Sequence, residues 1–287
     1  MTGSGPPRSI AVFTRRNTEA TVGAVRRLAE LAQEAGVELL LPREEVDKHG
    51  LSDLAGASFD ANPDDADLAL VFGGDGTILT TMRRFAGRGV PVFAVNFGAV
   101  GFLSTVERTD LDDALRRALR GEFEVLALPV LTTETAVGER LAVNDISFHR
   151  RQDLRVAELA YSVQDQELGQ VRCDGLVVAT PAGSTGYNLA NGGPVLAWGV
   201  EGFVVSFIAP HTLTARALVV APGDVLEVTN RSVEEPVDLS TDGRRVCELE
   251  PRQSVKIRFK DDQALLAQAS SATFYDRLRE KFGRLSY

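Results

Sequence analysis

The chain is short of the residues that several kinds of protein need. Its two cysteines, Cys173 and Cys247, lie far apart in 287 residues, with no CxxC or other metal-ligand spacing. That excludes a disulfide framework and a cysteine-built metal site, and leaves two reduced thiols of a cytosolic protein. Positive charge is in deficit. Lys and Arg number 31 against 40 Asp and Glu, giving a formal net charge of −9 and a pI near 5.0. A broad nucleic-acid or anionic-membrane surface is thereby disfavoured, although a small basic pocket is not. Histidine occurs three times, and no dedicated protein metal site is expected. A lipid-facing run is also missing. Residues 175–200 carry no charge, but "TPAGSTGYNLANGGP" within them is too rich in Gly, Pro, Asn, Ser and Thr to span a bilayer. Such a run suits a buried, hydrogen-bonding loop. The start, "MTGSGPPRSIAVF", lacks the basic-then-apolar layout of a secretory signal. Residues 1–8 read as a disordered lead-in, and the expected location is cytoplasmic.

What is present is ordinary globular composition, 44% hydrophobic and 25% charged, at a length that suits two domains. The first part, 1–126, alternates short apolar runs with helical patterns. "SIAVF" (9–13), "VELLL" (37–41), "DLALVF" (67–72) and "VPVFAVNF" (90–97) read as strands. Asn17 or Thr18 can cap a helix striped by Val22, Val25, Leu28, Leu31 and Ala32 and stopped by Gly36. Thr109 and Asp112 approximate a capping box for a helix lined by Leu111, Leu115, Ala118 and Leu119. This alternation predicts a Rossmann-like parallel α/β domain, with ligands at the carboxyl ends of its strands. From 127 to 268 the pattern becomes short strands between turn residues, as in "RVAELAYSV", "GFVVSFIAP" and "SVKIRF". A mostly antiparallel, layered β-sandwich domain follows. The closing segment, 269–287, is helical, with Phe274, Leu278 and Phe282 on one stripe. It is expected to pack back on the first domain.

Four stretches carry chemistry. In "VFGGDGTILTTMRRF" (71–85), Gly73, Gly74 and Gly76 surround Asp75 and precede Thr77. Bare backbone at a strand-to-helix turn attracts phosphate, and an aspartate there repels it, so Asp75 needs a reason. Capping the next helix is the plain one. No lysine follows the glycines, and the spacing is not GxGxxG, so neither common nucleotide loop applies. In "VNDISFH" (143–149), Asn144 and Asp145 pair an amide with a carboxylate. They serve equally as a strand-end bulge or as complementary hydrogen-bond partners for a ribose or base. "RCDGLVVATPAGSTGYNLANGGP" (172–194) is small, uncharged and hydroxyl- or amide-bearing after Pro181. "IAPHTLTARAL" (208–218) holds His211, and "STDGRR" (240–245) puts Asp242 and Gly243 at a turn tip.

Taken together, the order and spacing of these stretches resemble the NAD kinase family over nearly the whole chain. "TPAGSTGYNLANGGP" is the specific part, because "GGDGT" also occurs in diacylglycerol and sphingosine kinases. The resemblance implies phosphorylation of the adenosine ribose 2′-hydroxyl of NAD by ATP or polyphosphate, with a divalent metal, Mg²⁺ by expectation, to give NADP. It implies that Asp75 accepts the hydroxyl proton and that Gly73, Gly74, Gly76 and Thr77 form the phosphate-side turn. It places Phe102 against the adenine, and Asn144 and Asp145 on the NAD ribose. Arg155 would enter from a neighbouring subunit of a homodimer or homotetramer. Arg172, Asp174, Thr185, Gly186, Tyr187, Asn188, Leu189 and Ala190 would complete the NAD pocket, with Arg244 closing it. His211 and Asp242 fall in family motifs without a derivable role.

An aspartate of ordinary pKa, about 3.9, is a weak base at neutral pH. A loose phosphoryl-transfer transition state asks little deprotonation early, so orientation and late proton acceptance are enough. The sequence departs from the family's usual pattern in three places. Asp145 stands where glutamate is commoner, Ala182 replaces a hydroxyl residue, and Gly186 replaces alanine. These bear on discrimination between NAD and NADH. Two other readings use some of the same residues, namely a lipid-type kinase sharing only the Asp-bearing turn and a non-catalytic NAD(P)-binding sensor.

Overall fold

The computed structural model describes residues 5–17, 19–52, 54, 57–59, 61–98, 101–104, 106–151, 155–268 and 273–283. Thr18, residues 1–4 of the lead-in, and 269–272 and 284–287 of the closing segment lie outside them. Two compact units emerge, 1–127 with 263–287, and 128–262.

The first unit is a parallel sheet with the order β3-β2-β1-β4-β5. Its strands are β1 (Ser9–Thr14), β2 (Glu38–Leu40), β3 (Ala57–Ser58), β4 (Leu68–Gly73) and β5 (Val92–Asn96), with β6 (Val106–Glu107) parallel to β5. Every residue of β4 and β5 is buried, as befits strands covered on both faces. The chain leaves β1 toward β2 and β3 and then returns to β4 on the other side of β1. The order therefore reverses between β1 and β4, the place where open α/β sheets hold ligands.

Four helices accompany the sheet, α1 (Val22–Ala35), α2 (Arg43–His49), α3 (Asp75–Phe85) and α4 (Leu111–Arg120). α1 buries Val25, Leu28, Leu31 and Ala32 and ends at Gly36 in the left-handed region (φ 69°). Its N-cap is Thr21, four residues beyond Asn17, and no side chain caps it. The capping box expected at α4 does not form, since no side chain caps its N-terminus. Thr109 lies in a 3-10 turn one residue ahead of the N-cap, Asp110, so the register of the box is off by one. Asp112 is taken by the Arg27 guanidinium of α1, at 2.6–3.1 Å. The lead-in is not loose over residues 5–8. Pro7 is buried, the Gly5 carbonyl sits where a Cβ on Gly121 would fall, and Arg8 pairs with Asp67.

The second unit is antiparallel. One sheet has the order β14-β13-β12-β9-β16-β17. In chain order the unit contains β7 (Glu124–Thr135, from residue 128), β8 (Gly138–Ala142), β9 (Asp145–Arg150), β10 (Ala157–Val163), β11 (Gln166–Cys173) and β12 (Gly175–Ala179). After the short helix α5 (Tyr187–Ala190) come β13 (Phe203–Ile208), β14 (Leu218–Val220), β15 (Leu226–Asn230), β16 (Val237–Thr241) and β17 (Arg244–Leu249). β18 (Ser254–Gln268) gives residues 254–262 to this unit and 263–268 to the first, where Leu266 and Ala267 run parallel to β5. β11, β10, β15 and β18 make the second layer. Its Leu159, Val228 and Ile257 share one core with Phe148, Val178 and Val205 of the first layer. Strand alternation is thus spent on a two-sheet sandwich. The helix α6 (Phe274–Phe282) closes the chain and belongs to the first unit. The expected fold class, a parallel α/β domain followed by a β sandwich and a final helix, is the observed one.

Candidate active site

In the first unit the glycine-rich turn sits at the carboxyl end of β4, beside the sheet reversal. Gly73 has no room for a side chain, because a Cβ would lie 2.7 Å from the Thr77 side chain. Gly74, the N-cap of α3, comes within van der Waals reach of Gly98 after β5. Gly76 is exposed, and a Cβ there would meet nothing within 4 Å. The turn is thus bare on its outer side and tightly packed on its inner side.

Asp75 is not the cap of α3 but its first residue. Its carboxylate turns to the loop after β5. Phe102 N–H donates to Oδ2 at 2.8 Å and Leu103 N–H to Oδ1 at 3.2 Å. The loop comes so close that a Cβ on Gly101 would collide with Oδ1. Two charge-assisted hydrogen bonds fix the orientation of the group. From behind, Arg277 of α6 donates through Nη1 to the carbonyls of Phe102 and Ser104, both at 2.9 Å. Arg15, just past β1, donates to the Phe97 carbonyl, so a cation also stands at this sheet end.

The resemblance puts Phe102 against the adenine. The residue is 5% exposed, and its ring meets Phe274 edge-on, with centroids 5.6 Å apart. What it brings to Asp75 is its backbone N–H.

The second unit has its own polar corner where β8 breaks before β9. "ERLAVNDISFHR" reads as one strand, but Val143 and Asn144 interrupt it. Three backbone amides point the same way and donate to the carboxylate of Asp242, from Val143 (3.1 Å), Asn144 (2.7 Å) and Asp145 (3.1 Å). Asp242 adopts φ 44° to do this, and its own N–H returns to the Asp145 carbonyl at 2.8 Å. Its function is now visible as a brace for the corner.

The uncharged loop completes the brace. Thr180 N–H donates to the Asn144 carbonyl (2.9 Å), Thr180 Oγ1 to the Val143 carbonyl (2.7 Å), and Gly183 N–H to Thr180 Oγ1 (3.1 Å). Gly183 must be glycine, because its Cβ would overlap the Asn144 backbone.

Asp145 is 7% exposed and lies beside Asp242. Burial, with the Asp242 charge second, pushes its carboxyl up to about 7. Asn144 keeps its Oδ1 buried, with no hydrogen-bond partner among the described residues. An amide oxygen left bare in this way has a use if a ligand hydroxyl or amine meets it.

The other expected residues lie in the second unit. Tyr187 is partly exposed and stacks on His149 at 5.6 Å, nearly parallel (14°). Asp174 receives Arg150 Nε at 2.5 Å. Thr185 Oγ1 donates to the Ala182 carbonyl at 3.2 Å, Gly186 and Ala190 are exposed, and Leu189 is half-buried. Asn188, expected to touch NAD, is fully buried, and its Nδ2 is spent on the carbonyls of Ser184 and Pro194 (both 2.9 Å). It holds the loop shut and presents no donor outward. Arg155, Arg172, Arg244 and His211 are all exposed, and His211 N–H donates to the Arg172 carbonyl at 2.7 Å.

Sequence reasoning missed Arg15, Gly101, Arg150, His149, Thr180 and Arg277. For Thr180 and Gly101 a faint signal existed, a small residue beside each motif. Arg277, next to Leu278 on the buried stripe, offered only its position.

Bare backbone for phosphate, an oriented carboxylate for a hydroxyl, and a second unit carrying ribose-type donors and acceptors place the chain in the class of metabolite kinases. Residues 10–123 match the ATP-NAD kinase N-terminal domain and residues 143–268 the ATP-NAD kinase C-terminal domain. NAD kinase of Geotalea daltonii is 32% identical over 279 residues, covering 96% of this chain and 98% of that one. NAD kinase of Syntrophotalea carbinolica is 31% identical over 283 residues, with the same coverage. The chain belongs to the NAD kinase family. Among solved structures, a yeast NADH kinase complexed with NADH superposes with a TM-score of 0.86 at 21% identity, covering 99% of this chain and 90% of that one. An NAD kinase from Archaeoglobus fulgidus in complex with ATP gives 0.72 at 25% identity, covering 96% and 97%.

Proposed function

We propose that the protein transfers a phosphoryl group from ATP, or from polyphosphate, to the 2′-hydroxyl of the adenosine ribose of NAD, giving NADP. The observation that carries this reading is the Asp75 carboxylate, held by the Phe102 and Leu103 amides on an otherwise bare turn. A hydroxyl that bonds to the remaining lone pairs of this carboxylate is oriented for in-line attack, and its proton has an acceptor as the bond to phosphorus forms. The breaking bond is that between the γ-phosphorus and the β,γ-bridging oxygen, and ADP leaves with that oxygen. In the polyphosphate case the shortened chain leaves.

The Asn144–Asp145 corner takes the NAD ribose hydroxyls, and Arg172, Asp174, Tyr187 and Arg244 hold the rest of the dinucleotide. Arg15 supplies a cation for the donor's phosphates at the same sheet end as Asp75. Among the described residues no three His, Cys, Asp or Glu side chains converge on one point. A divalent ion carried in on the donor's phosphates is the expected metal. Such an ion, Mg²⁺ by this reading, would offset phosphate charge beside Asp75. We also place the enzyme in the cytoplasm as a homodimer or homotetramer, with Arg155 reaching a neighbour's site. Among the described residues no helix is long and apolar enough to cross a membrane.

The test is NADP formation from purified protein, NAD and Mg²⁺, with ATP in one reaction and polyphosphate in another. NADP from wild type and not from Asp75→Asn is the expected result. Turnover without Asp75, or NAD binding with no turnover from either donor, defeats the reading.

A further inference from the structure

Arg277 is a charged side chain only 7% exposed, on a helix far along the chain from the turn that carries Asp75. Burying a guanidinium costs several kcal/mol unless its surroundings answer it, so the contacts it makes identify its purpose. Nη1 bridges the carbonyls of Phe102 and Ser104. The peptide joining Phe102 to Leu103 is the informative one. Its oxygen accepts from Arg277, and its N–H, that of Leu103, donates to Asp75 Oδ1 at 3.2 Å. One peptide dipole therefore lies between a cation and an anion, aligned with both.

A hydrogen bond polarised from its far end is a stronger donor. The charge of Arg277 thus reaches the carboxylate without a direct ion pair. Asp75 and Glu280 are the carboxylates whose charges act on the guanidinium, against the burial that draws its pKa down. Phe274, three residues earlier on the same helix, presses edge-on against the Phe102 ring and fixes the loop sideways. Thr273 and Asp276 form a reciprocal capping box that starts the helix at this place.

We propose that Arg277 is a positioning residue for phosphoryl transfer, acting through the Phe102–Leu103 peptide to hold the Asp75 carboxylate correctly turned. The inference rests on Asp75 being the proton acceptor. The side-chain contacts of Arg277 lie on the loop that holds Asp75, so the effect of its loss falls on kcat.

The experiment is steady-state kinetics at neutral pH on wild type, Arg277→Gln, Arg277→Lys, Arg279→Gln and Asp75→Asn, in the full chain. Arg277→Gln is expected to lower kcat about tenfold, within the span a misoriented base gives, with KM for NAD little changed. Arg277→Lys keeps the buried charge but ends one bond short of the carbonyls. It should show a smaller loss of kcat, about threefold, again with KM for NAD little changed. Arg279→Gln, an exposed neighbour on the same helix, should match wild type.

A folded Arg277→Gln enzyme with wild-type kcat, or with its loss in KM for NAD instead, overturns the proposal. So does an Arg277→Lys enzyme with wild-type kcat, which is the deciding variant should the Gln form not fold. An active Asp75→Asn enzyme removes the base itself. An inactive one beside normal Arg277 variants removes only the present inference.

Discussion

Two corners of this molecule solve the same local problem with opposite neighbours. In each, a carboxylate collects backbone N–H groups from an adjacent turn. Asp75 receives two, and a buried arginine stands on the carbonyl side of the same peptide. Asp242 receives three, and what lies beside it is a second, nearly buried carboxylate, Asp145, whose own pKa is raised to about 7. Amides alone therefore do not decide what a carboxylate is for. Backed by a cation, the first is held in orientation against the loop after β5. The second is consumed by structure, and its charge adds to the burial that raises its neighbour's pKa.

The sharpest way to break the comparison is to neutralise each acid. Asp75→Asn should leave NAD binding within a few fold and lower kcat by about a hundredfold or more, the range for a positioned base. Single-turnover NADP formation with NAD saturating measures it directly, and near-normal turnover would put Asp75 on a level with Asp242 as a brace.

Asp145 should show the converse behaviour, in pH rather than in rate. Its carboxyl titrates near 7 in the folded protein against an ordinary value of 3.8. Between those values the unfolded chain has released the proton and the folded chain has not. Raising the pH through this window therefore removes stability, at up to about 1.4 kcal/mol per pH unit. Above about 7 the loss is complete. Chemical denaturation at intervals from pH 4 to 8 should show that decline in wild type, and a flatter line in Asp145→Asn. Over the same range the apparent affinity for NAD should improve as pH rises, since a ribose hydroxyl donates better to an ionised acceptor. A wild-type stability line as flat as the variant's would mean that Asp145 ionises normally.

Asp242→Asn sharpens the contrast further. One amide oxygen replaces two carboxylate oxygens before three N–H donors, at a cost of about 1–3 kcal/mol for the group left unmet. KM for NAD should rise about tenfold, the equivalent of roughly 1.4 kcal/mol. The midpoint of the Asp145 titration should fall only part of the way, because burial is the larger of its two causes. A midpoint that drops all the way would reverse that ranking.

The two corners are not equally readable in the sequence. The turn at Asp75 is plain, because a wholly apolar strand passes through three glycines into a helical pattern, a local event. The break at Val143–Asn144 is hidden, because "ERLAVNDISFHR" alternates as one strand does. What interrupts it is Asp242, almost a hundred residues away. Distance hides Arg277 in the same way. An arginine beside an apolar helix stripe reads as solvent-facing, and only the folded chain brings the carbonyls of Phe102 and Ser104 within its reach. Resemblance assigns Asn188 and Phe102 to the nucleotide, and only packing reveals that one side chain ties a loop and the other meets a helix. The α/β alternation, the sandwich and the closing helix follow from period and composition, which are local. Who answers a given charge is set by tertiary contact.

The smallest expected effect probes that same distinction at a helix end. Thr109 and Asp112 have the spacing of a capping box, and Thr273 and Asp276 form one. Thr273→Ala should therefore cost about 1 kcal/mol, and Thr109→Ala only a few tenths. Fraying at Thr273 matters beyond stability, because the N–H of Arg277 bonds to the Thr273 carbonyl at 3.3 Å and so lies within the first turn. A fraction of molecules would then have the guanidinium withdrawn at any moment. The molecules still docked would keep the cation, both carbonyls and an unchanged Asp75. In Thr273→Ala kcat should accordingly fall less than about twofold, with KM for NAD unchanged. A loss as large as that of Arg277→Gln would mean that helix order, and not the guanidinium itself, is what positions the carboxylate.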